Sequence, residues 1–209
     1  MRRPASLLLA LTCALLLSAC GPSECTPDNC RDGCCGADDT CIRSLGDDAC
    51  GPRTGGTCEG CAEGSVCHLQ KQTCIVGVMR TRVQPLAASI LDFDPLDEED
   101  PEWDPDGSPP DVVVEMRCPS ASERSRTETV QSLEPRWSAG SCQVVSSNLL
   151  KNPIELSIFD VDDFSFDDEF GTVYYQVTRA DLNRGWFEID IPEVVTALRV
   201  GLTHIYSEH

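Results

Sequence analysis

Two clusters of carboxylates are the residues of this sequence whose types and spacing point to chemistry. Residues 92–111 contain ten Asp and Glu side chains, and residues 160–169 contain six more, with no Lys, Arg or His in either cluster. The second cluster follows the apolar run 154–159 directly and leads into another apolar run at 170–173. A turn that concentrates so many carboxylates between ordered strands predicts a bound cation, because like charges repel unless a cation neutralises them.

The ligand type narrows the choice of cation. Carboxylate oxygens are hard ligands that favour calcium or magnesium over zinc, and a flexible loop with several carboxylates suits calcium. Asp160, Asp162 and Asp168 place two neighbouring carboxylates and one returning carboxylate around a single loop. We therefore predict that these three aspartates bind calcium. The alternative is a polar loop that binds no metal.

Strands must position these loops, because the C-terminal part of the chain has β-type patterning. Apolar and polar residues alternate at 154–158 and at 186–191, which indicates half-buried strands. Other β-rich runs lie at 111–116, 127–130, 172–177 and 198–202, and a short helical signal lies at 178–182. Recurring short strands of this kind favour an all-β antiparallel sandwich.

The order of these features resembles the C2 domain family, a calcium-dependent membrane-binding β-sandwich, over about residues 76–207. In that family a loop of the form D-x-D-x5-D-x2-G supplies three calcium-binding aspartates, and Asp160, Asp162, Asp168 and Gly171 match it. Residues 106–114 resemble the first calcium loop, and residues 127–137 resemble the strand that ends in the family's L-N-P-x-W turn. The resemblance implies about eight strands and calcium-dependent attachment to a membrane or a protein.

The resemblance also implies calcium ligands in the first acidic loop, and we assign them to Asp104 and Asp111. The family usually has Asp-Pro-Tyr where this chain has Asp111 followed by two valines. Asp104 lies seven residues before Asp111 and Asp106 lies five before it, whereas six is common in the family. Asp106 therefore remains the alternative to Asp104.

Aromatic side chains accompany both acidic clusters. Phe164 and Phe166 lie at the crest of the second cluster, and Trp103 lies in the first. These rings either enter a lipid interface or pack against the neighbouring loop. The lysine-rich strand through which the family also contacts lipid is not matched, because residues 144–159 contain a single basic residue, Lys151. We therefore expect any approach to an anionic lipid surface to depend on calcium.

The N-terminus predicts export and a lipid anchor. Arg2 and Arg3 precede the apolar run 7–17, which is too short to span a membrane. The tetrad Leu17-Ser18-Ala19-Cys20 resembles the bacterial lipobox, which implies cleavage before Cys20 and lipid attachment to its sulfur. The alternative is plain secretion. We expect a membrane-anchored lipoprotein at the outer membrane or cell surface, where the calcium is either structural or regulatory.

Cysteines divide the exported chain into two parts. Fourteen cysteines indicate an oxidising compartment. Ten of them lie between Cys25 and Cys74 in a stretch with few large aliphatic residues, so cross-links must hold that stretch together. Cys13 leaves with the signal and Cys20 takes the lipid, so Cys118 and Cys142 remain, and a disulfide between them would join parts of the sandwich. We therefore divide the chain into a signal at 1–19, a cysteine-rich module at 20–74 and a C2-like domain at 75–209.

The first six cysteines of the module follow the order C-x4-C-x3-CC-x5-C-x8-C, which resembles a cystine-knot framework. That resemblance implies the pairs Cys25–Cys35, Cys30–Cys41 and Cys34–Cys50, although spacing alone does not fix connectivity. The next four cysteines would form a second cluster. Cys58 and Cys61 with His68 also have the composition of half a zinc site, but an oxidising compartment favours disulfides.

The composition excludes several other functions. A formal net charge of -19 disfavours nucleic acid as a partner, because phosphates need a basic face. The sequence has no Gly-x-Ser-x-Gly, P-loop or dinucleotide motif, so we expect no enzymatic activity. Two alternatives to calcium-dependent attachment remain. One is a C2-like domain that binds protein without metal, and the other is a hydrolase that uses Asp160 and Asp162 as acid and base.

Overall fold

The computed structural model describes residues 24–95, 102–103, 106–161 and 168–207. Within those ranges the cysteine-rich module contains four short strands and the C-terminal part contains nine strands and two short helices. The module has β1 (Cys34–Cys35), β2 (Cys41–Ile42), β3 (Ser65–His68) and β4 (Thr73–Val76). The C-terminal part has β5 (Val78–Ile90), β6 (Asp111–Arg117), β7 (Ser125–Arg126), β8 (Val130–Gln131), β9 (Cys142–Val145), α1 (Ser146–Leu149), β10 (Ile154–Asp160), β11 (Asp168–Tyr175), α2 (Arg179–Arg184), β12 (Trp186–Ile191) and β13 (Val195–Ser207).

The C-terminal part is a sandwich of two antiparallel sheets. One sheet has the order β12-β13-β5-β9. The other has the order β11-β10-β6, and the short strands β7 and β8 both pair with β6 on its free side. The predicted antiparallel β-sandwich of about eight strands, behind a small disulfide-rich module, is thus confirmed. Neither helix in the described part of the chain is long and apolar enough to cross a membrane.

Alternation along the strands explains which faces are buried. In β10, Ile154, Leu156 and Ile158 are fully buried on the inner face. The intervening Glu155 is also buried, because the guanidinium groups of Arg117 and Arg124 pair with its carboxylate. β10 is therefore covered on both faces and lies between β11 and β6, and the second acidic loop begins at its end.

Of the two long strands, β13 was predicted in part and β5 was not predicted. In β13 the sequence pattern indicated residues 198–202, and in β5 it indicated none. Pro85 interrupts the β-type pattern of β5, and the pairing with β13 shifts register at that position. Thr81, a polar residue at an inward position, is buried because its hydroxyl is hydrogen-bonded to that of Ser146 (2.7 Å). Both features interrupt the alternation of apolar and polar residues, so the sequence pattern does not indicate β5.

The predicted helical turn at 178–182 corresponds to α2. Thr178 caps the helix, since its side chain accepts the Asp181 N–H (3.2 Å) and the Asp181 carboxylate accepts the Thr178 N–H (2.9 Å). Gly185 ends the helix in the left-handed conformation (φ 84°).

Five disulfides tie the cysteine-rich module into one unit, with the pairs Cys25–Cys35, Cys30–Cys41, Cys34–Cys58, Cys50–Cys67 and Cys61–Cys74. The first two are the pairs that the cystine-knot resemblance implies, but the implied Cys34–Cys50 pair is wrong. Cys58 takes its place because its backbone N–H donates to the carbonyl of Cys35 (2.8 Å), which brings residue 58 beside β1. A sixth disulfide, Cys118–Cys142, links the end of β6 to the start of β9 and so joins the two sheets.

The module packs against one end of the sandwich, which we call the junction end. The side chain of Asn183 in α2 bonds the N–H of Leu45 (3.0 Å) and its carbonyl (2.7 Å). At the end of β13, the Tyr206 hydroxyl accepts the N–H of Leu69 (2.9 Å), and the Tyr206 ring stacks on His68 at 3.9 Å. The acidic loops leave the strands at the opposite end of the sandwich, which we call the loop end.

Candidate metal centre

The loop end gathers three of the predicted calcium ligands. Asp160 ends β10, and its Cα partners are Asp168 at the start of β11 and Val112 in β6. Asp111 begins β6, and its N–H donates to Oδ1 of Asp160 (2.6 Å). The antiparallel register is the reason for this arrangement, because it places the end of β10 beside the beginnings of both neighbouring strands. Three aspartates from separate parts of the sequence thus share one edge of one sheet.

The three aspartates differ in exposure. Asp160 is 4% exposed, Asp111 is half-buried and Asp168 is exposed. A buried carboxylate needs compensating hydrogen bonds or a cation, because burial removes its hydration. The Asp111 N–H supplies one such hydrogen bond. Asp160 therefore lies at the base of the loop end, and Asp168 lies at its surface.

The donor set at this edge fits a hard cation, since it consists of carboxylate oxygens. Within the described residues, the groups of three or more candidate ligand atoms within 4.8 Å of one another are cysteine groups whose sulfurs are in disulfides. Asp111, Asp160 and Asp168 do not form so tight a group by themselves. A complete shell of six to eight oxygens around calcium therefore needs further oxygens from the two acidic loops.

Four of the predicted site residues, Asp104, Asp162, Phe164 and Phe166, lie outside the described residues, and so does Cys20. Asp106, the alternative to Asp104, is described. Its carboxylate accepts the N–H of Ser108 (3.0 Å), and hydrogen bonds from the Ser108 side chain and backbone lower the pKa of Asp106. Asp106 is thus engaged in a local turn of the first acidic loop.

Trp103 connects the first acidic loop to the sandwich. Its ring lies 4.8 Å from that of Phe170 in β11, and its indole N–H donates to the carbonyl of Leu91 (3.0 Å). The side chain is half-buried and its indole nitrogen has a hydrogen-bond partner. Of the two predicted roles, Trp103 thus has the packed one and does not project freely toward a lipid interface. Its contact with β11 holds the first acidic loop beside the strand that begins with Asp168.

Sequence reasoning missed one aromatic residue at the loop end. Phe93 is 47% exposed and lies between Asp92 and Asp94, three residues after the end of β5. An exposed aromatic ring flanked by acids is unusual, because large apolar side chains are usually buried. The signal was present in the sequence as an aromatic residue inside the first acidic cluster.

Comparison with known proteins gives one family. A model of the C2 domain matches residues 74–189. Similar solved structures include the first C2 domain of plant extended synaptotagmin 1 (14% identity, TM-score 0.46, 64% of this chain and 98% of that chain) and the first C2 domain of RIM from Drosophila (14%, 0.34, 63% and 98%). Human GIVD cytosolic phospholipase A2 is also similar (16%, 0.42), but the match covers 63% of this chain and only 16% of the phospholipase.

A search of curated proteins gives no match. The family model covers more than half of the chain and includes Asp104, Asp111, Asp160, Asp162 and Asp168.

Proposed function

The chain belongs to the C2 domain family, and from this premise we propose that it is a lipid-anchored, extracytoplasmic calcium-binding module that attaches to a membrane or protein through its loop end. C2 domains commonly bind calcium and lipid. The observation that carries the proposal for this chain is the position of Asp111, Asp160 and Asp168 on three adjacent strands at one edge.

Calcium would be held by these three residues together with Asp104 and Asp162. When bound, it supplies positive charge at a loop end whose two clusters contain sixteen carboxylates. The Asp111 N–H orients Asp160, and the hydrogen bonds from Ser108 engage Asp106. Those hydrogen bonds keep Asp106 ionised, so it stays the alternative to Asp104 as the ligand from the first loop.

The exposure of the aromatic side chains at the loop end indicates which of them can contact a membrane. Trp103 is held against Phe170, so we propose that Phe93 takes the membrane-contact role that we predicted for Trp103. Phe164 and Phe166 keep the same role in the proposal. Aromatic rings suit the membrane interface, where they contact apolar chains beside polar head groups.

The position of the module places the lipid anchor far from the loop end. Cys20 precedes Cys25 by five residues, a span of at most about 18 Å, and Cys25 belongs to the module at the junction end. The 13 residues of β5 run from the junction end to the loop end, a distance of roughly 40 Å. A lipid on Cys20 would therefore attach the chain through the module and not through the loop end.

The proposal includes no catalytic step. His68 and His204 lie at the junction end, far from the aspartates of the loop end. A hydrolase that uses Asp160 and Asp162 as acid and base needs no histidine, and turnover assays on lipid and glycan substrates test that alternative. The alternative without metal differs from our proposal in one measurable property, the dependence of binding on calcium.

Vesicle sedimentation tests the proposal. We expect the full chain to sediment with vesicles that contain phosphatidylserine in millimolar calcium and to remain in solution in chelator. Phe93→Ser should weaken sedimentation without changing calcium binding. Tyr174→Ser is the matched control, because Tyr174 is an exposed aromatic residue near the end of β11 that lies opposite the loop end. Equal sedimentation, or equal capture of a protein partner, with calcium and with chelator would favour the metal-independent alternative.

A further inference from the structure

A second site lies at the junction end, away from the carboxylates of the loop end. A cavity of about 400 Å³ lies between the cysteine-rich module and the sandwich. The module contributes Arg53 and Gln72 to its wall, and the sandwich contributes Arg184 at the end of α2 and Thr203 in β13. A volume of this size is in the range of small-molecule sites in proteins.

The charge of the cavity differs from that of the rest of the chain. Two guanidinium groups line it, and none of its lining residues is acidic, although the chain contains 35 Asp and Glu residues. Asp181, which lies outside the wall, pairs with Nη2 of Arg184 (2.6 Å) and offsets part of the positive charge. The cavity is therefore a local cationic site on an acidic protein.

Arg53 has a donor that the protein does not satisfy. Its Nε is buried and has no hydrogen-bond partner, while its Nη2 donates to the side-chain oxygen of Asn183. That oxygen also accepts the N–H of Leu45 (3.0 Å), and the Asn183 amide nitrogen donates to two carbonyls, so Asn183 is fully used. Buried donors are almost always paired, so Arg53 is unusual in leaving one unmet. Nε is too deeply buried to reach a ligand, and Nη1, which makes no hydrogen bond to the described residues, is the donor left for one.

The other donors are held in place by the structure. Arg184 donates from Nε to the carbonyl of Trp186 (2.9 Å), and its guanidinium lies 4.1 Å from the centre of the Trp186 ring. The side-chain Oε1 of Gln72 accepts the backbone N–H of Arg53 (3.0 Å), so the side-chain NH₂ of Gln72 is the group left to donate. Fixed guanidinium groups bind oxyanions well, because their planar donors match carboxylate and phosphate oxygens.

We infer that this cavity binds a small ligand through an oxyanion group, either phosphate, sulfate or carboxylate, held by Arg53 and Arg184. The volume exceeds that of one inorganic anion and admits a monosaccharide that bears such a group. Because the two arginines belong to different modules, the ligand also links the cysteine-rich module to the sandwich. The inference does not depend on the calcium function of the loop end.

Calorimetric titration of the full chain tests this inference. Inorganic phosphate, sulfate, glucose 6-phosphate and glucuronate are added in chelator at constant ionic strength. We expect saturable binding of at least one of them and a rise in melting temperature, because a ligand that binds the folded chain stabilises it. Tighter binding of glucose 6-phosphate than of phosphate identifies an organic ligand, and equal binding identifies the free anion.

Substitutions locate the binding. Arg53→Gln and Arg184→Gln should each weaken it by about tenfold or more, since a charge-assisted hydrogen bond is lost. Arg82→Gln is the matched control, because Arg82 is paired with Thr203 in the sheet but does not line the cavity. If Arg53→Gln does not fold, Arg184→Lys keeps the charge and removes the planar donor. Absence of saturable binding by the wild type, or an equal loss in Arg82→Gln, would overturn the inference.

Discussion

Asp160 is nearly buried at the end of a strand that is covered on both faces. We predict that Asp160→Asn abolishes the rise in melting temperature that calcium causes, because the buried carboxylate is lost as a ligand. In chelator the variant should be as stable as the wild type or more stable, since Asn keeps an oxygen for the Asp111 N–H and removes a charge from a crowded acidic loop end. Scanning calorimetry with calcium and with chelator measures both effects.

A matched control for this change is Asp190→Asn, because Asp190 is an exposed acid near the end of β12 that we do not assign to the site. The calcium-dependent rise should persist in that variant. A full rise in Asp160→Asn would remove Asp160 from the ligand set.

His204 is the residue for which the structure predicts a pH dependence. Burial lowers the pKa of His204 below its usual 6.5, and its neighbours are the Leu182 carbonyl (2.7 Å), the Thr81 hydroxyl (3.4 Å), His68 and Tyr206. The unfolded chain takes up this proton near pH 6.5 and the folded chain resists it. Stability is therefore complete above that pH and falls as the pH decreases toward the lower folded pKa.

We predict that His204→Gln makes the free energy of unfolding fall less steeply between about pH 7 and pH 5, where histidine titrates. Urea titrations of both proteins at several pH values measure this difference. Identical pH profiles for the variant and the wild type would show that His204 makes no contribution.

At the scale of elements, α2 is the short helix that connects the sandwich to the module. Thr178 and Asp181 form its capping box, and the Tyr175 hydroxyl donates to Asp181 (2.9 Å). Burial and this hydrogen bond raise the pKa of Tyr175 to about 12. The cap thus fixes the strand before the helix as well as the helix itself.

We predict that Thr178→Ala lowers the free energy of unfolding by about 1 kcal/mol, as is typical when an N-cap hydroxyl is removed. Denaturant unfolding at neutral pH measures the loss. Thr54→Ala, a change in an exposed turn of the module, should have little effect and serves as the control. Equal stabilities of Thr178→Ala and the wild type would contradict the capping role.

The strands differ in how well the sequence predicts them. β6, β10 and β12 were predicted closely, because runs of β-branched and aromatic residues or regular alternation mark them. β5 was missed entirely, since Pro85 and the buried Thr81 break its pattern. The partner of Cys34 was missed because it depends on how residue 58 approaches β1 in space, which no spacing encodes.

At the scale of the molecule, the two ends of the sandwich differ in charge and in contacts. The loop end contains the two acidic clusters, and the junction end contains the module, the two described histidines and the cationic cavity. The antiparallel register brings Asp111, Asp160 and Asp168 to the loop end, and the D-x-D-x5-D spacing allowed two of these three to be chosen from the sequence. Their assembly with the first acidic loop depends on the sheet, which only the fold supplies.

The most direct test of the central claim is calorimetric titration of the full chain with calcium, beside the double variant Asp162→Asn with Asp168→Asn. The account predicts saturable binding by the wild type, a higher melting temperature at saturation, and the loss of both in the variant, whose melting temperature in chelator equals that of the wild type. Binding of calcium by the variant with unchanged affinity, or no binding by the wild type at millimolar calcium, would contradict the account.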